Sequence, residues 1–119
     1  EFVGLAAEET AQADELTVGA QKRLELARAL ATEPQVLLLD EIMAGLTPTE
    51  SEGMLDLFRD VAETGTSLLV IEHDMSAIMN ISDRVKVLDD GRGIAYGTPE
   101  EVANDDRVIE AYIGGALDA

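Results

Sequence analysis

Two carboxylates stand side by side at Asp40 and Glu41, directly after the apolar run Val36 to Leu39. In open α/β sheets ligands gather at the carboxyl ends of parallel strands, and an acidic pair there suits phosphate chemistry. A hard cation such as Mg²⁺ takes carboxylate oxygens and water. One acid can then hold the metal through water while the next orients or deprotonates an attacking water. The bland alternative is an acid that caps the next turn. The chain's one histidine, His73, follows Glu72 after a second apolar run, Ser67 to Ile71. It opens onto the same rim if the two strands are near in the sheet, where an imidazole can hold a water or donate to a terminal phosphate without full charge. A structural histidine is the competing reading. Metal binding by His73 is disfavoured, because no second His and no Cys exist to complete such a site.

A third segment, Leu16-Thr17-Val18-Gly19-Ala20-Gln21, runs straight into a helix-forming stretch. Glycine lets a ligand approach the backbone closely, and the N–H groups of a first helical turn favour an anion. The alternative is a glycine ahead of an ordinary amphipathic helix.

These groups need elements to hold them. Ala20 to Ala31 is rich in helix formers, with Leu24, Ala27, Leu30 and Ala31 on one face, and Pro34 stops it. Val36 to Leu39 and Ser67 to Ile71 are short, continuous and apolar, as expected of strands buried on both faces of a parallel sheet. Between them Thr47-Pro48-Thr49-Glu50 offers an N-cap, a proline at the first helical position and a glutamate three residues on. A helix from about Pro48 to Ala62 follows, with Met54, Phe58, Val61 and Ala62 inward and Gly65 as its stop. Strand, helix, strand in this order implies a crossover and a parallel pair.

Asp74 is placed to cap a short helix over Met75 to Asn80. Val85 to Leu88, the turn Asp89-Asp90-Gly91 and Arg92 to Tyr96 predict an antiparallel hairpin at the sheet's edge. Thr98-Pro99-Glu100-Glu101 opens another helix, and Asp105 or Asp106 caps a last one ending near Gly114. The first fifteen residues carry a weak pattern, in which Phe2, Val3 and Leu5 would finish a helix begun earlier.

Composition narrows the classes of function. A chain of 119 residues that is 46% hydrophobic suits one compact domain or part of one. Eight basic against 25 acidic side chains leave a net charge of −17, which repels nucleic acid and anionic lipid at long range. With two Tyr, two Phe and no Trp there is no stacking platform for single strands. Zero cysteines exclude disulfides and thiol nucleophiles. No run of 18 apolar residues and no signal-peptide pattern is visible, and the opening Glu1 reads as the start of a soluble piece of something longer.

Taken together, the Gly19 turn, the arginine-bearing helix, the strand ending in Asp40-Glu41, the Ala44-Gly45-Leu46 turn, the capped helix and the strand before His73 resemble the ATPase subunit of ABC transporters. The likeness spans essentially all 119 residues and matches the C-terminal half of that domain. A finer resemblance, to ATPases of branched-chain amino-acid uptake, rests on Gln21 to Leu30, Glu72-His73-Asp74-Met75, Gly97 to Val102 and Ile109 to Gly114. The lipopolysaccharide-export ATPase is similar by the same marks.

The resemblance implies an α/β fold, the C-terminal part of a P-loop NTPase (RecA-like) domain. It would have a mostly parallel sheet, flanking helices and a C-terminal hairpin. Residues 1–33 would end a helical subdomain carrying the signature loop and helix, and 34–119 would form part of the catalytic core. The resemblance assigns Glu41 as catalytic base, His73 as switch histidine, and Asp40 to Mg²⁺ through water. Leu16, Thr17, Val18, Gly19, Ala20 and Gln21 would close over the ATP of a partner subunit, and Ala44, Gly45, Leu46 and Thr47 would form the D-loop. ATP and Mg²⁺ are the implied cofactors. The implied partners are a second ATPase subunit, identical or not, and membrane permease subunits, which would place the protein in the cytoplasm on the inner membrane. Nucleic acid is not among them, and the acidic surface and the uptake-type tail disfavour a soluble ABC ATPase of DNA repair or translation.

Departures from the family pattern also matter. Thr17, Val18 and Ala20 replace the commoner Ser, Gly and Gln of the signature, Ile42 replaces a proline, and Thr47 replaces Asp or Asn and is better explained as a helix cap. No Gly-x-x-x-x-Gly-Lys-Ser/Thr loop occurs; the two lysines are Lys22 and Lys86. The chain alone is therefore expected neither to bind ATP tightly nor to hydrolyse it, and to self-associate through strand edges left unpaired. A truncated, non-catalytic module that pairs with an intact ATPase is the rival expectation.

Overall fold

The structure, a computed structural model, describes residues 1–114 and separates the chain into two compact units, Glu1–His73 and the residues from Asp74 onward. The first unit opens with no helix over Phe2 to Leu5, contrary to the sequence expectation. Short 3-10 turns occupy Ala6–Glu8 and Ala13–Glu15 instead. Val3 is nevertheless buried, and its carbonyl accepts a 2.9 Å hydrogen bond from Arg23 Nη1.

Helix α1 spans Val18–Leu30, two residues earlier than the propensity run suggested. Thr17 is the reason: its side-chain oxygen accepts from Ala20 N at 3.2 Å and so starts the helix ahead of Gly19. The buried positions are Gly19 and Leu26, while Leu24, Ala27 and Leu30 are only half-buried and Ala31 is exposed. The inward face is rotated from the one proposed, and on this helix Arg23 reaches the Val3 carbonyl. Glu33 then takes φ +53, a left-handed residue that turns the chain into the first strand.

Strand β1, Val36–Asp40, pairs in parallel with β2, Ser67–Ile71, in the register Leu38 to Leu69 and Asp40 to Ile71. Helix α2, Pro48–Glu63, joins them and packs on β2. Thr47 Oγ1 caps α2 by accepting from Glu50 N at 3.2 Å, Pro48 takes the first turn, and Gly65 at φ +98 leaves the helix. Met54, Phe58 and Val61 are buried as expected, joined by Leu55 and Leu57, whereas Ala62 faces outward.

The strands are not buried on both faces. Leu37 and Leu39 point into the core, but Val36 is 57% exposed, Leu38 68%, Leu69 56% and Ile71 51%. Period-2 alternation gives a strand two faces, and among the described residues nothing covers the second one.

In the second unit α3, Met75–Ile81, is capped by Asp74, whose carboxylate accepts from Ala77 N at 3.3 Å. Strands β3, Val85–Asp89, and β4, Arg92–Gly97, form an antiparallel pair with an irregularity between Val87 and Leu88. Asp90 at φ +51 and Gly91 at φ +76 make the two-residue turn whose twist suits a hairpin. This hairpin is a separate two-stranded sheet rather than an edge of the β1–β2 sheet. Among the described residues, each strand of that parallel pair bonds only the other.

Helix α4, Pro99–Ala103, is capped by Thr98, and α5, Asp106–Val108, runs on into a π-helical turn over Ile109–Gly114. Asp105 is the cap, and the side-chain hydrogen bonds of Arg107 hold its carboxyl below the ordinary value. Val85, Val87, Val102 and Val108 form this unit's core, with Met75 and Ile94 against it.

Candidate functional site at the ends of the parallel strands

Asp40 closes β1 and its carboxylate is exposed. Glu41, one residue on, takes φ +51, a left-handed conformation that costs a non-glycine residue roughly 1–2 kcal/mol unless its surroundings hold it. They do: Glu41 N donates to Ile71 O at 2.8 Å, continuing the β1–β2 ladder one step past the strand. The turn swings the Glu41 side chain out beside the end of β2. There Glu41 Oε1 lies 3.6 Å from His73 Nδ1, with the two side chains 55% and 76% exposed. That distance is beyond a hydrogen bond, and at such exposure the pairing is worth only about 0–1 kcal/mol. Stability alone does not require it.

The segment from Ala44 to Thr47 leaves this rim as a tight turn. Ala44 N donates to Glu41 O at 3.3 Å, Leu46 N to Met43 O at 3.2 Å, and Gly45 sits at φ +81 in open space. Thr47 is spent as the α2 cap. Glu72, which sequence reasoning used only as a family mark, joins the rim as well: its Oε1 accepts from Met43 N at 3.2 Å.

The Leu16 to Gln21 segment is built differently. Leu16 N donates to Ala13 O, Gln21 Nε2 donates to Ala13 O at 3.3 Å, and Gln21 N bonds Thr17 O. Val18 is exposed, but Gly19 is buried, and a Cβ built on it would meet Glu50 Oε2 at 3.0 Å. The side chain of Glu50 thus lies over the glycine. These bonds stay within the segment and its preceding turn, so the structure joins Glu41 to His73 and builds the Gly19 turn as a separate feature.

Among the described residues no group of three or more His, Asp or Glu converges as a metal site. Asp40 offers hard oxygens at the strand end and little more. That donor set fits a Mg²⁺ ion, which keeps several waters and takes phosphate oxygens for the remainder.

Comparison with known proteins places the chain in a family. The family described as "ABC transporter" matches residues 2–44, and the family described as "Branched-chain amino acid ATP-binding cassette transporter" matches residues 94–118. With a relative 44% identical over 98% of its length, the chain belongs to the ABC transporter ATP-binding family.

It is 44% identical over 117 residues to the high-affinity branched-chain amino acid transport ATP-binding protein LivG of Salmonella typhimurium, covering 98% of this chain and 46% of LivG. It is 40% identical over 119 residues to the methionine import ATP-binding protein MetN of Leifsonia xyli, covering 98% of this chain and 35% of MetN. The ADP conformation of MJ1267, an ATP-binding cassette of an ABC transporter, superposes with a TM-score of 0.85 at 32% identity, over 95% of this chain and 46% of MJ1267. The ABC chain described here therefore spans about half the length of the LivG protein it matches.

Proposed function

We propose that this chain supplies the water-activating rim and the partner-facing turn of an ABC ATPase that drives import of branched-chain amino acids. The observation that carries the reading is the approach of Glu41 Oε1 to His73 Nδ1, at 3.6 Å, from the carboxyl ends of adjacent parallel strands. The LivG likeness supports the substrate class, and MetN widens it no further than amino acids.

In this reading Glu41 orients the attacking water and takes its proton, and His73 contacts the terminal phosphate from the next strand. Asp40 holds Mg²⁺ through water, and the metal when bound supplies charge neutralisation on the phosphates. The backbone of the first α1 turn, at Gly19, faces the ATP of a second subunit, and residues 44–47 follow the same face. Residues 1–33 act as the end of a helical subdomain and 34–119 as part of the core. Permease subunits anchor the assembly at the membrane; no helix among the described residues is long and apolar enough to cross one.

The 119 residues contain no Gly-x-x-x-x-Gly-Lys-Ser/Thr loop to hold the β- and γ-phosphates. The chain alone is accordingly expected to show no ATP turnover above a buffer blank. Joined to the phosphate-loop half of LivG, it is expected to hydrolyse ATP with Mg²⁺, and Glu41→Gln to lower kcat by about 10²–10⁴-fold, the span of a positioned general base. Turnover that survives Glu41→Gln would overturn this assignment.

A further inference from the structure

Three successive residues at the end of β2 each meet the three-residue turn after β1. Ile71 O accepts from Glu41 N at 2.8 Å, Glu72 Oε1 accepts from Met43 N at 3.2 Å, and His73 Nδ1 faces Glu41 Oε1 at 3.6 Å. The first of these is backbone pairing and the third is between exposed tips. Only the second ties the far side of the turn, beyond Glu41, to the strand that carries His73.

That tie is needed because Glu41 sits at φ +51. A non-glycine residue there relaxes toward the right-handed region unless both flanks are fixed, and such a relaxation would swing its carboxylate off the rim. The N side is fixed by the ladder. On the C side, Met43 is buried as an apolar anchor, and its N–H finds an acceptor in a half-buried carboxylate rather than in water. A charge-assisted bond of this kind is among the stronger ones available to a turn.

We infer that Glu72 is a positioning residue that holds Glu41 at its distance from His73 by clamping the Met43 amide, without touching nucleotide itself. This deepens the proposed ATPase role and rests on it for its kinetic consequence; the clamp itself does not.

Two measurements separate these. In the 119-residue chain, amide hydrogen exchange at Met43 is expected to quicken about tenfold or more in Glu72→Ala, and to return toward the parent rate in Glu72→Gln, which keeps an acceptor oxygen. Glu72→Asp keeps the charge but withdraws it by one methylene, about 1.5 Å, and is expected to behave like Glu72→Ala. In the joined ATPase, Glu72→Ala and Glu72→Asp are expected to lower kcat roughly 10- to 100-fold with KM for ATP unchanged, and Glu72→Gln to restore it. Should Glu72→Ala fail to fold, the Asp and Gln pair carries the comparison.

Unchanged Met43 exchange in Glu72→Asp overturns the clamp. So does unchanged kcat in a protein whose turnover Glu41→Gln abolishes, because the turn would then hold Glu41 unaided. Turnover indifferent to Glu41 itself sinks the ATPase reading and the kinetic half of this inference together, while leaving the exchange result to report on the clamp.

Discussion

Gly19 brings two demands into one position. It lies two residues past the Thr17 cap, inside helix α1, where alanine is ordinarily the better residue by about 1 kcal/mol. What a side chain would meet is Glu50 Oε2 at 3.0 Å, the far end of a flexible carboxylate that can move aside. Gly19→Ala is therefore expected to leave the melting temperature unchanged or to raise stability by up to about 1 kcal/mol. In the joined ATPase the same variant is expected to lower turnover, since a Cβ would stand where the backbone must approach phosphate. A thermal melt and a rate measurement on one protein distinguish the two demands. A large loss of stability would mean that packing alone selects the glycine, and an unchanged rate would remove Gly19 from the ATP-facing surface. Asp40 and Glu41 could be nominated from sequence because an acid at the end of an apolar strand has a position implied by its neighbours. Glu72 could not, because its partner is the amide of Met43, 29 residues away, and no local pattern marks that bond.

Element boundaries were legible where a local hydrogen bond sets them. Thr47, Asp74 and Thr98 each cap the helix that the sequence placed after them, because the cap side chain bonds an amide three residues on and needs nothing distant. Helix rotation was not legible in the same way. Leu24 and Leu26 are equally apolar in sequence, and the burial of Leu26 rather than Leu24 is set by tertiary packing that no local pattern marks. Likewise, an apolar five-residue strand shows that it can be covered on two sides, not that it is. Thr47 supplies the element-scale test. Thr47→Ala is expected to destabilise the chain by about 1 kcal/mol in denaturant unfolding, through loss of the bond from Glu50 N. Thr47→Ser should recover most of that. If Thr47→Ala leaves stability unchanged yet impairs the joined ATPase, its hydroxyl serves the neighbouring subunit rather than α2.

At the scale of the whole molecule, the uncovered face of the β1–β2 sheet determines solution behaviour. Leu38 and Leu69 are direct cross-strand partners at its centre, with Val36 and Ile71 at its ends, all more than half exposed. Two five-residue strands at ~3.3 Å per residue and ~4.8 Å apart present only on the order of 150 Å². A stable partner surface needs about 800 Å² per side, so this face by itself supports weak, concentration-dependent association of copies rather than a tight dimer. The outer edges of β1 and β2, unpaired among the described residues, add main-chain pairing. Opposing both is a net charge of −17 on every copy, which salt screens over about 10 Å at 0.1 M. Light scattering is therefore expected to show average mass rising with protein concentration and rising further as salt is added, the opposite of what an association held by ion pairs would do. Leu38→Thr together with Leu69→Thr puts β-branched, strand-favouring residues in place of the apolar centre, and should return the chain toward monomer at every salt concentration. A parent chain that stays monomeric at high concentration in both low and high salt would show that this face drives no assembly. A double variant that associates as strongly as the parent would place the contact on the strand edges alone.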